Sequence, residues 1–219
     1  MPAFVLLPAS PSDLERIAQL QFESFASDHG FPVIFPKGAS PTSLTHFVHS
    51  FENDMENDPT CFIMIVKEAM SSVIVSYAVW HFYPPKSQDE IDMEMLVENI
   101  PLPADANQEL GNRLIRESIR KKHEVVTAAI GPQKPYAFLA ALGTSPQYQR
   151  QGAASLLMTW GVERADDRGV AIYVEASPDA SRLYEKHGFH EVSRLRLDMA
   201  PWKEGDYFNT CMIREPTTS

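Results

Sequence analysis

Cysteine is nearly absent from this chain of 219 residues: Cys61 and Cys211 are the whole supply. Two cysteines make neither a disulfide scaffold nor a thiolate cluster for a metal, and they suit a reducing interior. No apolar run approaches the length of a membrane span. Met1-Pro2-Ala3-Phe4-Val5 lacks the basic start of a secretory leader, so the expected location is cytoplasmic. Positive charge is also short. The 19 Lys and Arg are outnumbered by 29 Asp and Glu, giving a formal net charge of -10. That balance argues against nucleic acid and against a membrane surface as partners, while leaving room for an amine substrate. The rest is ordinary globular composition, with 44% hydrophobic and 22% charged residues. No repeat or linker divides the chain, so a single domain over 1–219 is expected.

Periodicity supplies the elements in order. Ala3 to Leu7 reads as a strand. Ser10-Pro11-Ser12-Asp13 signals a helix start, and Leu14, Ile17, Ala18, Leu20, Phe22 and Phe25 follow at helical spacing. Phe31 to Ser40 reads as a loop. Its apolar residues Phe31, Val33, Ile34 and Phe35 suit either a cap on the core or a pocket wall. A second helix is expected from about Thr42 to Asn57. Its His46 and His49 share a face, but no further ligand accompanies them, so no metal site is expected. Cys61 to Val66 and Ser72 to Trp80 read as a strand pair, nearly continuous in apolar residues.

The stretch from about 84 to 135 is the least legible. The acidic run Asp89 to Glu94 has no assignment. A helix is expected from Asp105 to about His123, with Arg116, Arg120, Lys121 and Lys122 crowding its far end to match the helix dipole. Later, His190 to Leu197 alternates as a half-buried strand, and Tyr207 to Ile213 reads as the last one.

Between these lies the most informative segment. An apolar run, Tyr136 to Leu142, breaks at Gly143-Thr144-Ser145-Pro146. Then Gln149-Arg150-Gln151-Gly152-Ala153-Ala154 leads into Ser155-Leu156-Leu157-Met158. This order reads as strand, tight turn, helix start. The first N–H groups of a helix lack partners inside it, and with the helix dipole they suit an anion such as a phosphate. Gly152, Ala153 and Ala154 let such a group come close. The turn has no Gly-Lys-[Ser/Thr] ending and no G-x-G-x-x-G, so neither a P-loop nor a dinucleotide fingerprint is present.

The pattern Gln149-x-x-Gly152-x-Ala154 resembles the GNAT superfamily of acyl-CoA-dependent N-acyltransferases. After a strand candidate at Val170 to Glu175, Ser177-x-x-Ala180-x-x-Leu183-Tyr184-x-x-x-Gly188-Phe189 resembles the second signature of that family. The resemblance implies an α/β (α+β) fold. Its central sheet would be mixed and mostly antiparallel, of about six to seven strands flanked by helices, with the fourth and fifth strands splayed apart. The 84–135 stretch would then be an insertion between the third and fourth strands.

The resemblance also implies a function: transfer of an acetyl or short acyl group from acetyl-CoA to a primary amine by direct attack in a ternary complex. The amine would belong to a small molecule or a peptide, and the protein would be a monomer or homodimer. Coenzyme A would be held by Leu142, Gly143, Thr144, Gln149, Arg150, Gln151, Gly152, Ala153, Ala154, Ser155, Ser177 and Tyr184. Tyr184 would be the general acid to the thiolate; its phenol, near pKa 10, is close to an alkyl thiol. Ser177 stands where many relatives carry Asn, which puts that contact with the pantetheine arm in doubt. The glutamate that several relatives place on the fourth strand is replaced here by Ala140 and Ala141. The base is thus unassigned: Glu175, at the end of the fifth strand, could act catalytically by relaying a proton through water, His81 is another option, Glu94 is a weaker one, and an amine of low pKa would need none. Lysines and arginines of the 116–122 cluster are either a solvated helix end or a contact to the 3′-phosphate. Two readings from other classes stay open: an acyl-CoA-binding regulatory module without turnover, and acyl transfer to a hydroxyl.

Overall fold

The computed structural model describes residues 3–217. Seven strands form one sheet: β1 (Phe4–Pro8), β2 (Cys61–Glu68), β3 (Ile74–Tyr83), β4 (Tyr136–Thr144), β5 (Ala171–Ala176), β6 (His190–Asp198) and β7 (Asp206–Arg214). Their order is β1-β2-β3-β4-β5-β7-β6. Every neighbouring pair is antiparallel except β4 with β5. This is the GNAT-like architecture expected from the sequence.

Alternation along each strand divides the side chains between two faces. On one face, Ala78 and Trp80 of β3 pack with Leu157, Met158 and Trp160 of α6 (Ala153–Asp167). Tyr184 of the short helix α7 (Ser181–Lys186) joins the same cluster. On the other face, Tyr77 and Val79 meet Leu14, Ile17 and Leu20 of α1 (Leu14–Ser24) and Phe51 of α3 (Pro41–Asn57). Farther along that face, Tyr136, Tyr173 and Leu195 pack with Leu110, Val125 and Val126 of α5 (Gln108–Ala129).

Several boundaries differ from the sequence reading. The stretch after α1, expected as a loop, holds a one-turn helix, α2 (Phe31–Ile34), that starts beside Pro32. Phe22, Phe31, Phe35 and Phe47 cluster there with ring centres 4.6–6.4 Å apart. The unassigned acidic run is α4 (Gln88–Met95). Its start is legible in the sequence: Ser87 and Glu90 form a reciprocal capping box. The basic residues 116–122 do not end a helix, because α5 continues to Ala129. Arg120 and Lys121 pair with Glu117 and Glu124 one turn away, and Arg116 donates to the Glu98 carbonyl at 2.6 Å. The cluster is thus neither a dipole-matched terminus nor one group of free charges. Finally, β4 runs through Gly143 and Thr144 rather than breaking there, because both pair with β3.

Candidate active site

The parallel pairing of β4 with β5 covers only Tyr136 to Leu139 against Ala171 to Val174. Beyond it, Glu175 and Ala176 stay with β7, while Ala141 to Thr144 stay with β3. The strands part, and a cavity of about 410 Å³ opens at the fork. Ala140 sits at a bulge, where the β3–β4 register slips between Val79 and Trp80.

The peptide groups of β4 in the gap follow from the ladder. Ser145 N–H donates to the Val75 carbonyl at 2.9 Å. Bonded and non-bonded pairs alternate in an antiparallel ladder, so Tyr77–Gly143 is a bonded pair while Leu142 and Thr144 turn their peptide groups away from β3. Leu142 therefore offers an unpaired strand edge to the fork, and Thr144 offers its N–H, its carbonyl being approached by Gln149 Nε2 at 3.4 Å. Gly143 does not. Its carbonyl accepts from Ser76 Oγ at 2.7 Å on the β3 side, and an added Cβ would lie 2.5 Å from the Tyr77 ring and 2.8 Å from Ser24 Oγ. Glycine is required here by packing.

The anion turn caps α6. Gly152 is its N-cap, with φ +100°, a conformation costly for any residue with a Cβ. No side chain caps this helix start, and Gly152 is exposed with open space above its Cα. Arg150 also takes a positive φ, of +60°. Gln149 and Gln151 brace the turn by donating to the Thr144 and Gln147 carbonyls at 3.4 and 2.8 Å. Ala153 is buried while Ala154 and Ser155 are half-buried. The free N–H groups of this first turn and the bare approach over Gly152 fit a diphosphate.

Ser177, Ala180 and Tyr184 line the same cavity from beyond β5, and Glu175 lines it from the strand end. Of the sequence-predicted site residues, Leu142, Glu175, Ser177 and Tyr184 thus meet at one cavity, whereas Gly143, Thr144 and the turn from Gln149 to Ser155 lie outside its lining. Tyr184 is buried, and burial pushes its phenol above the ordinary value of 10. It is a weaker acid than the near match with a thiol expected from the sequence. Burial likewise raises the Glu175 carboxyl, against the hydrogen bond that Tyr173 Oη donates to it at 3.0 Å. His81 is not part of this cavity. It stacks between Tyr83 and Phe138 and keeps Nδ1 3.1 Å from Asp58. Glu94 is held behind the site by His123 and Lys86, which pull its carboxyl down to about 2.

The opposite wall comes from segments with no motif. Gln21, Phe25, Asp28, Phe31 and Ile34 line it from α1 and α2, so the apolar stretch after α1 both caps the core and walls the cavity. Leu114, Ile115, Ser118, Ile119 and Lys122 line it from α5, and Tyr207 and Asn209 from β7. Among the described residues, no group of three or more His, Cys, Asp or Glu is placed to hold a metal. Nor is any helix long and apolar enough to cross a membrane.

Residues 104–189 match the model of the acetyltransferase (GNAT) family. That segment contains both motifs, and the sheet around it has a GNAT-like fold. Solved structures share the architecture. Arylalkylamine N-acetyltransferase 2 from Aedes aegypti is 11% identical with a TM-score of 0.68, over 98% of this chain and 99% of that one. The ribosomal-protein-S18-alanine N-acetyltransferase from Escherichia coli is 14% identical with a TM-score of 0.56, over 99% and 96%. Histone acetyltransferase HPA2 and related acetyltransferase from Corynebacterium glutamicum is 22% identical with a TM-score of 0.60, over 100% and 99%.

Proposed function

We propose that this protein transfers an acetyl or short acyl group from acetyl-CoA to the primary amine of a small, largely apolar molecule. The observation that carries the reading is the fork. The β4 edge at Leu142 borders one cavity that also holds a tyrosine and a carboxyl group, and the uncapped α6 N-terminus follows the same strand. Acetyl-CoA supplies the activated acyl carbon. Backbone groups of Leu142 and Thr144 would hold its arm like an added strand. The N–H groups from Gly152 to Ser155 would take its diphosphate, with Arg150, Gln149 and Gln151 beside them and Ser177 replacing the usual Asn.

The proton balance assigns two roles. Glu175 takes a proton from the entering ammonium, breaking N–H and forming O–H, so that nitrogen can attack. The new C–N bond forms as the C–S bond breaks. Tyr184 gives its proton to the departing sulfur and regains one from the acylated nitrogen. Glu175 then loses its proton to solvent. Both groups line the cavity, which is what direct transfer without a covalent enzyme intermediate requires.

The size and walls of the cavity support the acceptor class. About 410 Å³, lined by Phe25, Phe31, Ile34, Leu114, Ile115, Ile119 and Phe138, suits an aryl or alkyl body better than a peptide. Several structural neighbours are named as arylalkylamine N-acetyltransferases, which agrees with it. The test is thiol release from acetyl-CoA with phenethylamine, agmatine and a lysine peptide. Turnover of phenethylamine above the other two, falling sharply in Tyr184→Phe, is the expected result. CoA binding with no turnover on any amine would replace the enzyme by a binding module, and an ester product by mass would replace the amine by a hydroxyl.

A further inference from the structure

Lys122 is the one lysine or arginine among the residues lining the cavity. It is buried, and its ammonium lies 5.3 Å from the centre of the Phe138 ring and 5.6 Å from that of Tyr83. Its ion-pair partner, Glu94 Oε2, is 3.8 Å away, too far for a hydrogen bond. That oxygen already has His123 Nε2 at 2.8 Å, and the other oxygen of Glu94 is taken by Lys86 Nζ. Lys122 is therefore a desolvated cation whose counter-ion is shared and distant. Such an arrangement is costly unless its charge is used elsewhere.

The other side of Lys122 is the cavity floor. Phe138, beside the ammonium, stacks on Tyr173 with ring centres 5.8 Å apart. The Tyr173 hydroxyl in turn donates to Glu175. Lys122 and Glu175 both line this one cavity, a low-dielectric setting where charges act more strongly than in water.

We propose that Lys122 is a positioning residue for acyl transfer: its charge, acting through the cavity, keeps Glu175 in the proton-accepting form. This rests on the reading of Glu175 as base. Other groups also face that carboxyl. Tyr173 donates to it from β5, Cys211 of β7 pairs with Glu175, and Tyr207 and Asn209 of β7, Ser118 of α5, Asp28 of the loop after α1 and Tyr184 of α7 line the same cavity. From β4 come only the apolar Phe138, Leu139, Ala140, Ala141 and Leu142. Asp28 is a carboxylate occupied by the N–H groups of Gly30 and Phe31, each at 2.8 Å. Lys122 is accordingly the one basic side chain in this set; burial pulls its own pKa down, and the carboxylates of Glu94 and Glu175 oppose that. Burial drives Glu175 toward its neutral form and Lys122 opposes that.

The sign follows. Without the ammonium, Glu175 holds its proton to higher pH, so the acidic limb of kcat/KM must move to higher pH. An opposite charge nearby is worth roughly one pH unit or more, which is about a tenfold rate loss below the limb. The experiment is the pH profile of kcat/KM with phenethylamine for the native protein, Lys122→Met, Lys122→Gln, Lys122→Arg and Glu175→Gln. Thermal melts and the KM for acetyl-CoA check that each variant folds. The expected result is an alkaline-shifted limb in the Met and Gln variants, an unmoved limb in the Arg variant, and no such limb in Glu175→Gln. If the limb disappears in Glu175→Gln but stays in place in a folded Lys122→Met or Lys122→Gln, Lys122 has no such role and the base assignment survives. If Glu175→Gln retains the native limb, the base assignment itself fails, and this proposal with it.

Discussion

In the proposed transfer, Tyr184 acts as a hydroxyl held in a dry site. Because burial raises its pKa above 10, it stays protonated across the neutral and alkaline range, as a proton donor to sulfur must. The native kcat profile should therefore show no fall from Tyr184 until well above pH 10. Tyr184→Phe should lower kcat by about a hundredfold, the ordinary size of a general-acid contribution, with little change in the dissociation constant for CoA. Stopped thiol-release assays beside calorimetric CoA titration separate the two effects. Gly152 is a different kind of residue, since its role lies in backbone geometry. At φ +100° an alanine costs about 1 kcal/mol, and its methyl group would stand over the open face of the turn. Gly152→Ala should raise the KM for acetyl-CoA about tenfold while leaving the KM for the amine unchanged.

At the scale of elements, α6 has to lie close on β3 for its N-terminus to reach the fork. Gly161 permits this: a Cβ there would fall inside the Trp80 ring's contact distance. Trp80 is fully buried and has no room to yield. Gly161→Ala should destabilise the protein by about 1–3 kcal/mol through overpacking, read as a lower melting temperature, and should weaken CoA binding as α6 is pushed outward. The other end of α6 is clamped. Asp166 accepts two bonds from Arg214 of β7 at 2.7 and 2.8 Å, and Arg214 Nε donates to the His187 carbonyl after α7. The clamp holds the Asp166 carboxyl at about 2, below its ordinary 3.8. A lowered folded-state value contributes stability that is full above about pH 4 and is lost as pH falls toward 2. Acid unfolding of Asp166→Asn should lack that part of the slope, measured by circular dichroism from pH 5 to 2.

The whole molecule behaves as a scaffold whose sheet is left unfinished at one point. Ligands that complete the β4 edge and cap α6 bind only the folded form, so they must stabilise it. At a hundredfold excess over the dissociation constant the gain is about 2.7 kcal/mol, or roughly 5–10 °C in melting temperature for a chain of this size. Differential scanning fluorimetry with CoA should show this rise in the native protein and a smaller one in Gly152→Ala. Free phenethylamine alone should produce little, because the cavity walls it would touch offer no comparable backbone edge.

Local order carries local information, and the amino-acid sequence by itself determines what is local. The strands, α1, α3 and most of α5 declare themselves through periodicity, since each must turn one apolar face to the core. The turn at Gly152 and the Tyr184 segment are legible because each is a contiguous motif, the first a tight strand-to-helix bend with its small residues side by side. The start of α4 is equally local, in the Ser87–Glu90 capping box, but its acidic run has no apolar face to mark a helix. Lys122, Ser118, Asn209, Asp28 and Phe31 are a different matter. They stand on α5, β7, α2 and the loop after α1, most of them far apart in the chain, and share one cavity only because β4 and β5 part after Leu139 and Val174. The same is true of how an ordinary phenol and an ordinary carboxyl acquire unusual proton affinities. Burial sets those affinities, and burial comes from elements that the motifs never touch.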